Sequence, residues 1–197
     1  MEVFKSYLLD LGNKIPLGIY VALLLILIIS TLIIIGSKKI SDKRRMISGV
    51  LFIEYLGLLY CATVFFREVA NKQSFKTRPF WSYIALVNGE RHPGVLLPQM
   101  IMNVVIFIPL GFLLGAAFSN TTWWKTMMVG GLASISIETI QLLTSRGTAE
   151  FDDVIHNTVG CLLGYGMYKL FQTSWCRIYG RKSSESGVGV LKTRKLE

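Results

Sequence analysis

The chain has 197 residues, 52% of them hydrophobic and only 17% charged, with a mean hydropathy of +0.49. A soluble domain carries about 25% charged residues, so this composition excludes an ordinary soluble globule and points to an integral membrane protein. A net charge of +9 would suggest nucleic acid as partner of a soluble protein; here it marks orientation, because Lys and Arg collect on cytoplasmic loops, and no nucleic-acid partner is expected.

In chain order, residues 1–15 place Phe4, Leu8 and Leu11 at helical spacing, which predicts a short interfacial helix. Five apolar runs then approach the roughly 20 residues that a spanning helix requires: 16–35, 47–66, 98–118, 125–144 and 154–171. The first has no basic leader before it and no small-residue cleavage site after it, so it reads as a retained helix rather than a removed signal. The aromatic stretch PFWSYIALV, 79–87, is too short to span and reads as a loop lying on the headgroups rather than a re-entrant segment. The expectation is a single transmembrane domain over 1–172 followed by a basic, flexible cytoplasmic tail, 173–197. Cys61, Cys161 and Cys176 show no paired spacing and read as packing residues; no metal site and no cofactor are expected.

The predicted fold is therefore all-α, a polytopic bundle of about five transmembrane helices. Orientation follows from charge. The loop 36–46 carries five Lys or Arg against one Asp, and the tail after 172 carries six against two Glu. Five spans put both on one side, cytoplasmic by the positive-inside rule, with the N-terminus outside.

With that orientation the polar residues converge. Arg67 ends the second run, Asn103 lies near the outer end of the third, and Glu138 and Gln141 lie near the outer end of the fourth. Arg146, Glu150, Asp152 and Asp153 follow in the loop, and His156 and Asn157 open the fifth run. Ser134, Glu138, Gln141 and Ser145 form one helical stripe, as do Asp153, Asn157, Gly160 and Gly164. Gly160 and Gly164, like Gly111 and Gly115, make small-xxx-small seams that admit a close helix neighbour. Ionisable groups in a bilayer face the bundle interior, a cavity or a partner. An acid such as Asp152 at a helix start also has a simpler role, capping backbone N–H groups.

Together these motifs resemble the VanZ-like family: NVVIFIPLGFLL (103–114), IETIQ (137–141), Arg146 and DDVIHNTVGCLLG (152–164), in that order on successive apolar helices. The resemblance implies a polytopic membrane protein of the bacterial plasma membrane, associated with resistance to glycopeptide antibiotics, chiefly teicoplanin. It places Asn103, Pro109, Gly111, Glu138, Gln141, Asp152, Asp153, Asn157 and Gly160 at motif positions. His156 and Glu150 depart from the pattern, and His156 reads as a harmless residue among headgroups.

Three functions compete. In the first, an outward-facing polar site at the outer leaflet binds a cell-wall precursor, a lipid headgroup or the glycopeptide itself, and modulates resistance to lipid-bearing glycopeptides. In the second, the chain is an integral membrane enzyme acting on a lipid or lipid-linked envelope substrate, with Glu138 and Asp153 as the candidate catalytic carboxylates. Arg67 and Arg146 would then hold an anionic group, with Asn103, Gln141, Asp152 and Asn157 as further ligand-binding candidates. In the third, it is a small transporter or flippase, for which Glu54 is the ionisable residue nearest the midplane, although the outer polar residues form no path across.

Overall fold

The computed structural model describes residues 17–37, 42–65, 74–76, 78–146 and 148–193. The expected interfacial helix over 1–15 and Arg67 lie outside them. Six helices and two short strands follow in order: α1 (Leu17–Gly36), α2 (Lys43–Tyr60), a π-helical segment (Cys61–Phe65), β1 (Ser74–Lys76), α3 (Trp81–Val87), α4 (Pro93–Ala117), α5 (Trp123–Thr144), β2 (Thr148–Glu150) and α6 (Phe151–Thr193). Three segments, Lys43–Val64, Pro93–Ala117 and Trp123–Thr144, are long and apolar enough to cross a membrane, and a shorter apolar stretch covers Val21–Gly36. The protein is thus mostly helical and multi-pass.

The helix ends follow from local chemistry. Asp42 caps α2 by accepting the Arg45 N–H at 3.2 Å, and Thr122 caps α5 by accepting the Lys125 N–H at 3.3 Å. Helix α4 opens with Pro93, preceded by His92, whose Nδ1 accepts the Gly94 N–H at 3.1 Å. Pro98 and Pro109 lie inside α4, a placement that membrane helices tolerate because neighbours satisfy the freed backbone groups. Tyr55 on α2 donates its hydroxyl to the Ile106 carbonyl of α4 at 2.7 Å, a side-chain tie between the two helices.

The core forms where α2, α4, α5 and α6 meet, around Leu59, Val64, Phe107, Leu110, Ile137 and Cys161. Helices α4 and α6 pack most intimately, through the glycines picked out above. A Cβ on Gly160 would lie 2.9 Å from the Val104 carbonyl carbon, and one on Gly164 would lie 2.8 Å from that of Ile108. On the other side of the seam, a Cβ on Gly111 would lie 2.7 Å from the Cys161 carbonyl carbon and one on Gly115 2.9 Å from the Tyr168 Cγ. Residue numbers rise together along this contact, so α4 and α6 run parallel. Cys161 is buried here and Cys61 half-buried, both free thiols, in keeping with a packing role.

Two features depart from the expected all-α bundle. Strand β1 pairs in parallel with β2, Ser74 against Thr148 through Lys76 against Glu150, forming a two-stranded sheet at one end. The stretch expected as a headgroup loop contains a helix, α3, that buries Ser82 and Ala85 and leaves Phe80, Tyr83, Ile84 and Val87 exposed. Ala85 packs with Leu96 and Met100 of α4 in a second small core.

Candidate functional site

The polar residues do gather at one end of the bundle, and hydrogen bonds tie them together. Glu138 Oε2 accepts the Glu150 N–H at 2.9 Å, joining α5 to the last residue of β2. Asn157 Nδ2 donates to Ser134 Oγ at 2.8 Å, which links α6 to α5. Gln141 Nε2 donates to the Thr63 carbonyl at 2.8 Å. Thr63 lies in the π-helical segment that follows α2, so Gln141 ties that segment into the cluster. Glu138, Gln141, Asp153 and Asn157 are all buried, Gln141 to 2% exposure and Asn157 to 4%.

Asp152 is fully buried and caps a neighbouring helix. Its Oδ1 accepts the Phe80 N–H at 2.6 Å and its Oδ2 accepts the Ser82 N–H at 2.8 Å. The cause lies in α3. Its N-cap, Phe80, sits in the left-handed region at φ 59° and has no side-chain oxygen to offer. A carboxylate from α6 supplies what the local sequence lacks, and the positive end of the helix favours its charge. The capping role expected for Asp152 is therefore real, but it serves α3 rather than Asp152's own helix.

The neighbouring contacts complete a rim. Lys76 Nζ pairs with Glu150 Oε1 at 3.0 Å and lies 3.3 Å from the Trp81 ring centre. Tyr83 OH and His156 Nε2 are 2.9 Å apart. His156 is only 5% exposed, so the expectation that it faces headgroups is wrong: α3 folds over it. Sequence reasoning missed Lys76, Trp81, Tyr83 and Thr63. Trp81 and Tyr83 stood in the aromatic stretch 79–87, which was the available signal; nothing local marked Lys76 or Thr63.

The remaining candidates are less enclosed. Asn103 on α4 and Arg146, just after the left-handed C-cap Ser145, are half-buried. The Arg146 N–H closes the end of α5 on the Gln141 carbonyl at 2.9 Å. Among the described residues, Gln141 Oε1, Asn157 Oδ1, Asn103 Nδ2 and His156 Nδ1 are buried with no protein partner. Also among them, no three His, Cys, Asp or Glu side chains converge in a way that would hold a metal ion.

A multi-pass helical protein with a hydrogen-bonded polar cluster buried at one end is the class that fold and site define. The VanZ/LLP1 family model matches residues 52–172, and the chain belongs to that family. The match runs from the second half of α2 into the first half of α6, including every described member of the cluster. The chain is also 39% identical over 72 residues to Protein VanZ of Enterococcus faecium, an alignment covering 36% of this chain and 45% of that protein. The chain thus spans less than half the length of that relative. No solved structure matches.

Proposed function

We propose that the chain lies in the bacterial plasma membrane with five spans, N-terminus outside and C-terminus cytoplasmic. Its polar cluster, at the outer end, binds the polar headgroup of an envelope lipid or a lipid-linked cell-wall precursor. By doing so it modulates resistance to lipid-bearing glycopeptides such as teicoplanin, the phenotype associated with the family. The parallel run of α4 and α6 supports the topology, since alternating spans require the third and fifth to share a direction.

One observation carries the binding reading: Gln141 Oε1, Asn157 Oδ1 and Asn103 Nδ2 are buried without a partner among the described residues. Leaving a buried polar atom unsatisfied costs about 1–3 kcal/mol. An interhelical hydrogen bond in a membrane returns on average about 0.6 kcal/mol. A cluster serving only to lock helices would be better built from apolar side chains. Two acceptors and a donor beside Glu138 and Asp153 suit hydroxyl and amide groups, which sugar- and peptide-bearing headgroups carry.

A test is to purify the wild type and a Ser134→Ala/Asn157→Leu double variant from a Gram-positive host and compare co-purifying lipids by mass spectrometry. The pair removes both partners of one hydrogen bond together, which tends to be nearly neutral for stability. Headgroup-bearing precursors enriched on the wild type and lost from the variant support the reading. Identical lipid profiles at equal stability remove it.

The enzyme alternative gains one specific observation, the hydroxyl–imidazole contact between exposed Tyr83 and buried His156. It requires Tyr83→Phe to abolish turnover of an envelope lipid while leaving lipid co-purification intact.

A further inference from the structure

The opposite end of the bundle holds a crevice of about 550 Å³ between the start of α2, the end of α4 and α6. Its two walls differ in chemistry. Helix α2 supplies Arg44, Arg45 and Ser48, together with Asp42. Helices α4 and α6 supply Phe112, Tyr168, Phe171 and Trp175: the Phe112 ring lies 5.9 Å from Tyr168 and 6.3 Å from Phe171, and Phe171 lies 5.9 Å from Trp175, centre to centre, in edge or tilted contact. The Arg44 guanidinium lies over the Trp175 ring at 5.8 Å, which bridges the two walls.

We propose that this crevice binds one anionic phospholipid, with its phosphate on Arg44, Arg45 and the Ser48 hydroxyl and an acyl chain along the aromatic wall. Guanidinium forks match phosphate oxygens. Two arginines face one carboxylate, Asp42, which already pairs with Arg45 at 3.1 Å, so the wall keeps a net positive charge. Arg45 is about half exposed and able to turn toward a ligand. Basic pockets between membrane helices are where anionic headgroups dock. A free phosphate would use only the polar wall, whereas a phospholipid uses both. The site is independent of the polar cluster, which lies at the other end of the helices.

The experiment uses the full chain in detergent, titrated with phosphatidylglycerol, with phosphatidylcholine or with inorganic phosphate, and followed by native mass spectrometry and thermal unfolding. Wild type is expected to retain phosphatidylglycerol in preference to phosphatidylcholine and to gain thermal stability from it, with no stabilisation by inorganic phosphate. Arg44→Gln/Arg45→Gln should weaken phosphatidylglycerol binding about tenfold or more, the scale for two basic side chains at an anionic surface. Lys125→Gln/Arg177→Gln removes the same charge outside the crevice and should bind as wild type does. Should the arginine pair prove necessary for folding, Gln172→Trp obstructs the crevice with both arginines in place and should give the same loss. Equal weakening by both charge pairs would reduce the effect to general surface charge and overturn the proposal. So would binding unaffected by the crevice variants, or stabilisation by inorganic phosphate equal to that by the lipid.

Discussion

Gly164→Ala tests the packing that holds the polar cluster together. The added Cβ would overlap the Ile108 carbonyl oxygen and lie 2.8 Å from its carbon and 2.9 Å from the Phe112 nitrogen. Ordinary contact begins near 3.4 Å, so to clear that oxygen α4 and α6 must part by more than about an ångström, and backbone atoms cannot rotate away as a side chain would. Overpacking a close contact costs about 1–3 kcal/mol, and an obstacle made of backbone places this case at the upper end. Gly57→Ala on α2 is the internal comparison, because nothing lies within 4 Å of its added Cβ. There alanine gains up to about 1 kcal/mol from helix propensity. The two variants should therefore differ by about 3 kcal/mol in opposite directions. Thermal unfolding of a fluorescent-protein fusion, followed by size-exclusion chromatography in detergent, reads that difference directly. Equal melting temperatures for the two variants would show that α4 and α6 do not meet through Gly164.

Further outcomes follow from individual contacts. Asp152→Asn keeps the shape but turns one acceptor into a donor facing a backbone N–H; it should cost about 1.5–3 kcal/mol and speed hydrogen exchange over 80–88, and unchanged exchange there would refute the cap. Lys76→Met removes the ion pair of Glu150 and the contact with Trp81; because Lys76 is partly solvated the loss should be about 1–2 kcal/mol, and Lys76→Arg should restore most of it in the same thermal assay. Tyr83→Phe should cost about 1 kcal/mol by leaving His156 Nε2 without its partner, with the shift absent in a His156→Phe background, where the contact no longer exists.

The sequence made some of this legible for definite reasons. Small-xxx-small spacing at 111/115 and 160/164 exposes backbone on one face, and two such faces are suited to meet, as they do. The polar stripes of α5 and α6 were readable because a helix maps i, i+4 and i+7 onto one side. The apolar runs gave α1, α2 with its π-helical extension, α4 and α5 to within about five residues, whereas α6 continues to Thr193, well past the fifth run. What escaped were the contacts across long separations. Three-residue strands carry no periodic signal, so the pairing of Ser74–Lys76 with Thr148–Glu150 is invisible in the chain. The same holds for Asp152, whose nature as a cap was readable but whose client, α3, stands 70 residues earlier. The burial of His156 is hidden in the sequence because the helix that covers it, α3, is only seven residues long and carries too little periodicity to read as one. The crevice at the basic end escaped because its aromatic wall is shared between two helices and its basic wall belongs to a third.

The polar cluster as a working site, rather than a lock, is tested most directly by antibiotic susceptibility. Teicoplanin and vancomycin thresholds would be measured side by side in a susceptible Gram-positive host carrying empty vector, wild type, Glu138→Gln, Asp153→Asn or Ser134→Ala/Asn157→Leu, at equal membrane abundance. A working site requires wild type to raise the teicoplanin threshold selectively and all three variants to lose that protection. Protection by all three variants equal to that of wild type would contradict it and leave the cluster with a structural role alone.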